Sequence, residues 1–571
     1  SIQEAATQRD LIALEKLFDQ TEADLVALRA SRDSNIPWLQ NYEFSRFYYS
    51  DSEHFIEAGF HMLDAGREAI VLMKPFADAG GFKVEEDQVV EETGLAEAFA
   101  TWVGIMPEIA ADSDKVLEKL ALAGGELAQV DASRYPEEFQ GVTIRSNIET
   151  AQTTLVQLND AAPDIKEALT IIPPLLGVDT GEKRYMILFQ NDKELRPTGG
   201  FWTYVSTFKL NNGLLSSDFT SNGTYNVDFT LDAIDSYYTF PKVPAAYENH
   251  LKVERMFARD ANISPDLPTS VDQFMVFWDL AIPLNSDFKP VDGVFTIDTK
   301  VLEELLEITG PVTLNGITYT PETVTLELEK IASLALKEQA NRKRILGDLM
   351  EEMLINVFES ERNIWPTIVE KGFDLAKRKH VQAYLYDEAG QQLLEKYNYG
   401  GRLVDTPDQD YAMVVSTNLG GGNTNGWFVN KEVEHELTKE NGRWLRTTTV
   451  RFNYGEKDSS YDPFIQIYQD WVRLYVPQGS ELVSLEGSQD EPGTAEEGNK
   501  TYFHGYITLN QGETKELVFK YYLPEDLAFG DTYSLYLQKQ SGINKENHYV
   551  TVNGNRTLVE LSTDETYITN L

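Results

Sequence analysis

The spacing of apolar residues changes twice along this chain, and that change limits the fold more than any single motif does. In the stretch 6–30, Leu11, Leu14, Leu17, Phe18, Leu25 and Leu28 recur three and four residues apart, the stripe of an amphipathic helix. Further helical stretches run near 51–75, 91–110, 114–127 and 147–170, with Ser113 and Ser146 as candidate N-caps and the Pro173-Pro174 pair as a stop. An aromatic-rich segment, SNIPWLQNYEFSRFYYSDS, joins the first two and is expected to pack as an ordered connector. From about 176 the pattern is mixed. Tyr185–Phe189 and Asp292–Ile297 read as buried strands, and Asn211-Asn212-Gly213 and Asn315-Gly316 read as hairpin turns. Long helical stretches are expected at 321–340 and 341–358. From about 430 the period is two, with some seven strands separated by turn residues and an acidic loop at 488–500.

These periods predict a multidomain α+β protein. A helical domain covers 1–175, an α/β core 176–403, a linker or loop 404–430, and an antiparallel, immunoglobulin-like β-sandwich 431–571. The linker expectation rests on Gly420–Gly422 and the NTNG that follows.

Charge removes one class of function. The chain carries 92 Asp and Glu against 49 Lys and Arg, a formal net charge of −43. A field of that sign repels phosphate backbones and anionic lipid, so nucleic acid is not expected as a partner. The chain has no cysteine, which excludes disulfides and thiolate chemistry. No two of the seven histidines share a metal-ligand spacing. No run of 18 apolar residues occurs, and the sequence opens at Ser1 without an initiator Met, so a leader or anchor helix ahead of Ser1 is expected.

The densest group of chemically useful residues is NDKELRPTGGFW, Asn191–Trp202, directly after a buried strand. Ligands bind at strand C-termini in α/β sheets. Asp192, Glu194 and Arg196 gather there, and Gly199 and Gly200 would let backbone N–H groups approach an anion. Two readings stay open: a binding or catalytic site, or a tight turn held by an internal carboxylate–arginine pair. A second group, ARDANISPDLP, carries Arg259, Asp260, Asn262 and Asp266 and reads first as a loop ordered by Asx turns. The third, NRKR at 341–344, places Arg342 and Arg344 about 200° apart on a helix, so a solvated basic patch is favoured.

Taken in order, QNDKELRPTGGF, RDANISPDLP, VDGVFTID…LLEITGPVTLNG and NRKR resemble the bacterial domain-of-unknown-function family 4012, as do RLYVPQGS and YYLP near the end. That resemblance implies an N-terminal membrane anchor and an outward-facing body at the cell surface, and no activity. Beneath it, VDGVFTIDTKVLEELLEITGPV with Arg342 and Arg344 resembles the LytR-CpsA-Psr family. Those proteins transfer glycopolymers from polyprenyl-pyrophosphate lipids to peptidoglycan with magnesium. The likeness implies a metal-holding, catalytic Asp192, a catalytic Arg196, and Arg342 or Arg344 as a further ligand contact; Glu194, Gly199, Gly200, Arg259 and Asp260 are the ligand-binding candidates that the two loops themselves offer. The helical segment before NRKR lacks that family's further arginines and aspartates, and RPTGGF is not its loop. The expectation is therefore an extracytoplasmic envelope protein with a surface, structural or binding role. Its partners would be a cell-wall glycopolymer, a polyprenyl phosphate lipid or other envelope proteins. The alternative is a phosphoglycosyl-transferase-type enzyme.

Overall fold

The protein is described by a computed structural model, which places residues 10–74, 83, 95–216, 218, 220–334, 348–349, 352–353, 355–357, 364–420, 425–456 and 466–571. The chain is mixed α/β, helical at its start and β-rich at its end. It divides into two compact units, Ser1–Lys183 with Leu210–Ser216, and Arg184–Lys209 with Ser217–Leu571.

Among its described residues the first unit has five long helices, α1 (Leu11–Asn35), α2 (Arg46–Met73), α3 (Leu95–Asp112), α4 (Asp114–Leu127) and α5 (Arg145–Leu175). Between α4 and α5 lies a short hairpin, β1 (Glu138–Phe139) and β2 (Val142–Thr143). The predicted stripe of α1 is used over its first turns, where Leu11, Leu14 and Phe18 are buried against Leu63 and Ile70 of α2, while Leu28 is exposed. Asp10 caps α1 by accepting from the Ala13 N–H at 2.8 Å. The expected serine caps do not form. Ser113 donates instead to the Ala110 carbonyl, and Ser146 lies inside α5. The Pro173-Pro174 pair occupies the last turn of α5, which stops one residue later.

In the second unit a sheet runs in the order β10-β7-β3-β4, with β6 also on β4. Its strands are β3 (Lys183–Asn191), β4 (Phe201–Asn211), β6 (Thr220–Gly223), β7 (Gly293–Asp298) and β10 (Val381–Leu385). The short β5 (Leu214–Leu215) turns back on the end of β4 through Asn212 and Gly213, both at positive φ, as the sequence predicts. The two strands expected to be buried, β3 and β7, pair in parallel, Tyr185 opposite Gly293 through Gln190 opposite Asp298. Around the sheet lie α6 (Thr224–Leu231), α7 (Ala245–Leu251), α8 (Leu267–Ala281) and α9 (Thr299–Thr309). They are followed by the predicted hairpin β8 (Val312–Leu314) with β9 (Ile317–Tyr319), then α10 (Val324–Leu334), α11 (Trp365–Lys377) and α12 (Glu388–Lys396). Phe274, Phe277 and Trp278 of α8 pack with Met186, Leu188 and Trp202 in one buried cluster. The NRKR segment lies outside the described residues.

The rest of the chain forms two six-stranded sheets, β16-β17-β14-β11-β19-β22 and β15-β18-β13-β12-β20-β21. In chain order these are β11 (Asp410–Val415), β12 (Val429–Glu440), β13 (Arg443–Tyr454), β14 (Tyr468–Pro477), β15 (Glu481–Glu486), β16 (Gly493–Glu497), β17 (Lys500–Leu509), β18 (Thr514–Tyr522), β19 (Thr532–Leu537), β20 (Glu546–Val552), β21 (Asn555–Leu561) and β22 (Glu565–Asn570). Val414, Val472 and Leu535 of the first sheet share a buried cluster with Val433, Val450 and Leu517 of the second. Three differences from the sequence reading follow. The sheets are mixed and not wholly antiparallel, because β11 pairs β19 and β12 pairs β20 in parallel. The stretch read as a linker, 404–430, contains β11, a fully buried strand between β14 and β19. Its apolar run DYAMVV feeds two clusters, Ala412 and Val414 on one side, Tyr411, Met413 and Val415 on the other. The acidic loop 488–500 holds an edge strand, β16, on which Glu496 pairs across from Thr501.

Candidate functional site

The strand ends of the α/β sheet carry the predicted group, and the structure divides it in two. After β3 the Asn191 side chain accepts from the Lys193 N–H at 3.0 Å, and the Asn191 carbonyl accepts from the Glu194 N–H. This turn sends Asp192 one way and Glu194 with Arg196 another.

Asp192 faces the start of α9. Its Oδ1 accepts from the Thr299 hydroxyl at 2.5 Å and the Thr299 N–H at 3.3 Å, and its Oδ2 meets the Lys193 ammonium at 2.5 Å. Beside it Asp298, at the end of β7, caps the same helix through the Lys300 N–H and binds His380 Nδ1 at 2.6 Å. Carboxylates at a helix N-terminus are stabilised by its dipole and free N–H groups. Burial raises the Asp298 pKa, and the His380 partner works against that rise. Burial also pushes the Glu329 carboxyl of α10 up to about 8, helped by Glu194 and Asp192. Nearby, Lys379 pairs with Asp564 at 2.8 Å, and burial beside Lys379 brings Lys539 down to about 7. Perturbed groups at strand ends are a mark of functional sites, but ion-pair networks perturb pKa values too.

Arg196 is 1 % exposed. Its Nη2 lies 3.3 Å from Glu194 Oε1 and its Nη1 3.5 Å from Asp260 Oδ1, while the guanidinium faces the rings of Phe201 and Tyr247. Burial disfavours this cation, yet Tyr247, Asp260 and Glu194 outweigh it and hold the pKa above the ordinary value. Asp260 continues to Arg259 at 3.7 Å, and Arg259 binds Asp228 at 2.6 Å. Asp228 also accepts from the Ala258 N–H, and burial raises its pKa to about 6. Glu194, Arg196, Asp260, Arg259 and Asp228 thus form one alternating row, an internal Glu194–Arg196 pair extended through Arg259 by two acids of distant segments.

The two glycines serve the same purpose. A Cβ on Gly200 would lie 2.4 Å from the Asn191 carbonyl carbon, and one on Gly542 would lie 1.8 Å from the Gly199 oxygen. The Gly199 N–H donates to the Arg196 carbonyl. The backbone approach that suggested an anion is made by the protein's own chain. Around it, Asn262 Nδ2 donates to Thr198 Oγ1 and the Gly200 carbonyl, and Gln540 Nε2 donates to the carbonyls of Arg196 and Ser416. The loop therefore locks the α/β sheet to the β-rich region.

Magnesium at Asp192 does not fit this arrangement. Both carboxylate oxygens are engaged, and an ammonium already stands against Oδ2. Among the described residues no cluster of three or more metal-ligating side chains occurs. Among the same residues no helix is long and apolar enough to cross a membrane.

A second polar row crosses the β-rich interior. Lys431 pairs with Glu546 at 2.9 Å, Glu546 with His548 at 2.8 Å, and His548 with His435 at 3.0 Å. It continues through Thr448 and Tyr521 to Arg446, which binds Asp410 at 2.6 Å. Burial raises the Glu546 pKa, but Lys431 and His548 outweigh it and bring it to about 2. An ionised Glu546 can only accept, so His548 donates to it, His435 to His548, and Thr448 to His435. Burial and His548 keep His435 well below the ordinary histidine range, consistent with that order. Sequence reading missed Gln540, His380, Lys539, Glu329 and this histidine pair. Nothing local marks them, because each meets partners far away in the chain.

Residues 180–332 match a family model described as Protein of unknown function (DUF4012). The span contains the NDKELRPTGGF, RDANISPDLP and VDGVFTID motifs. No curated protein and no solved structure matches the chain.

Proposed function

We propose that this chain is the outward-facing body of a bacterial cell-envelope protein, with a binding or structural role. In this reading the α/β core is a degenerate LytR-CpsA-Psr-like scaffold. The helical unit and an immunoglobulin-like β-sandwich are the interaction modules, and an anchor helix precedes Ser1. Cell-wall glycopolymer, polyprenyl phosphate lipid and other envelope proteins are the partners it would meet. One observation carries the non-catalytic reading: the buried Arg196 lies between Glu194 and Asp260, where a phosphate-binding arginine would face a ligand. The envelope assignment rests on what the resemblance of the motifs to the domain-of-unknown-function family 4012 implies, an anchored and outward-facing body.

The rival is a phosphoglycosyl transferase acting on polyprenyl-(pyro)phosphate-linked glycopolymers. The observation in its favour is Glu329, whose pKa of about 8 near Asp192 and Glu194 suits a general acid. Calorimetric titration of the chain with a polyprenyl phosphate and magnesium separates the two. The binding-or-structural reading expects no binding that depends on Asp192 or Arg196. Binding that is lost in Asp192→Asn or Arg196→Lys with an unchanged melt overturns it.

A further inference from the structure

The connectors at one end of the helical unit expose aromatic residues in place of packing them. Residues 36–48, between α1 and α2, present Trp38 at 50 %, Tyr42 at 53 % and Phe44 at 74 % exposure. The three rings are neighbours, with centroids 6.2 Å apart for Trp38–Tyr42 and 5.9 Å for Tyr42–Phe44. The connector between α4 and α5 lies at the same end. Tyr48 donates to the Arg134 carbonyl and packs edge-on against Tyr135, and the Arg134 guanidinium sits 4.6 Å over the Phe47 ring. Its β1–β2 hairpin adds Phe139 and Val142, a cross-strand pair that is more than half exposed. Such a patch costs solubility unless something covers it.

Its chemistry points to a bilayer surface. Trp and Tyr combine an apolar body with a polar edge, the pairing that suits the headgroup region. Exposed Arg46 stands over the Phe47 ring, where a lipid phosphate would lie, while Arg134 is paired with Asp131 at 3.2 Å and Asp51 at 3.8 Å. The patch sits on two connecting turns at a helical end, so it projects outward, and a deformable bilayer accepts projecting side chains without a preformed groove. Over 36–48 and 131–145 four carboxylates face three arginines, so this end carries little of the chain's net charge of −43 and opposes a lipid surface less than the chain as a whole does. We propose that this end of the helical unit inserts its aromatic side chains into the interfacial layer of a phospholipid membrane. The patch lies at the far end of α1 from Leu11, roughly 37 Å away along that helix. It does not rest on the function proposed above.

The test is flotation of the full chain with zwitterionic vesicles of phosphatidylcholine and phosphatidylethanolamine, which do not repel a chain of this charge. The parent floats, and Trp38→Ser with Phe44→Ser reduces partitioning by roughly tenfold or more. The melting temperature is unchanged, since both side chains are exposed. Phe373→Ser, an exposed change on α11, serves as the control and leaves flotation intact. A parent that stays with the protein fraction overturns the proposal. So does equal loss in the control. Sedimentation of the parent as a dimer that the double variant abolishes, without flotation, assigns the patch to a second copy and also overturns it.

Discussion

Replacing Arg196 with alanine removes the cation that two buried carboxylates share. Glu194 and Asp260 are both within 3.5 Å of the guanidinium, and all three side chains are nearly closed to water. Stranding a buried charge in this way costs about 3–5 kcal/mol, more than the intact pair contributes, because its desolvation is no longer offset. At roughly 2 °C per kcal/mol for a unit of this size, the melting temperature should fall by about 6–10 °C. Differential scanning calorimetry of Arg196→Ala beside the parent measures it. Arg196→Met combined with Glu194→Gln and Asp260→Asn should recover part of the loss, since no charge is then stranded. An unchanged melt in Arg196→Ala would refute the argument and return Arg196 to the role of a ligand-facing group.

Gly542→Ala should destabilise by more than about 1 kcal/mol in urea titration, because its φ is +79° and the new Cβ would collide with the Gly199 carbonyl. Gly200→Ala should behave alike against Asn191, and full stability in both variants would mean the two loops do not touch. Glu329 has a folded pKa of about 8, above its unfolded value, so it favours folding least at high pH. Parent stability should fall as pH rises from the ordinary glutamate range through about 8, and Glu329→Gln should remove that fall, on the order of 5 kcal/mol; parallel urea midpoints across this range would contradict it. Glu546 is the opposite case: its folded pKa of about 2 lies below the unfolded value, so its contribution is present above that value and fades as pH drops toward 2. Glu546→Gln should cost about 3–5 kcal/mol at neutral pH by taking the salt-bridge partner from the buried Lys431, read from the denaturation midpoint.

Periodicity by itself determined where helix gives way to mixed structure and then to strand, because apolar spacing is written in consecutive residues. The stripe on α1, the parallel partners β3 and β7, and the turns at Asn212-Gly213 and Asn315-Gly316 were all legible for that reason. The NDKELRPTGG segment was legible as an unusual place, and so was the internal-pair alternative for it. Only the tertiary structure showed which groups the loop meets. Its distant partners are Asp260, Asn262 and Gln540, and the last is 344 residues from Arg196. The same holds for β11, hidden by glycines that follow it, and for His435 and His548, which are 113 residues apart and meet only because β12 and β20 run side by side. Sequence fixes which faces are apolar, but a buried charge is identified by the group opposite it, and that group is chosen by the packing of distant strands.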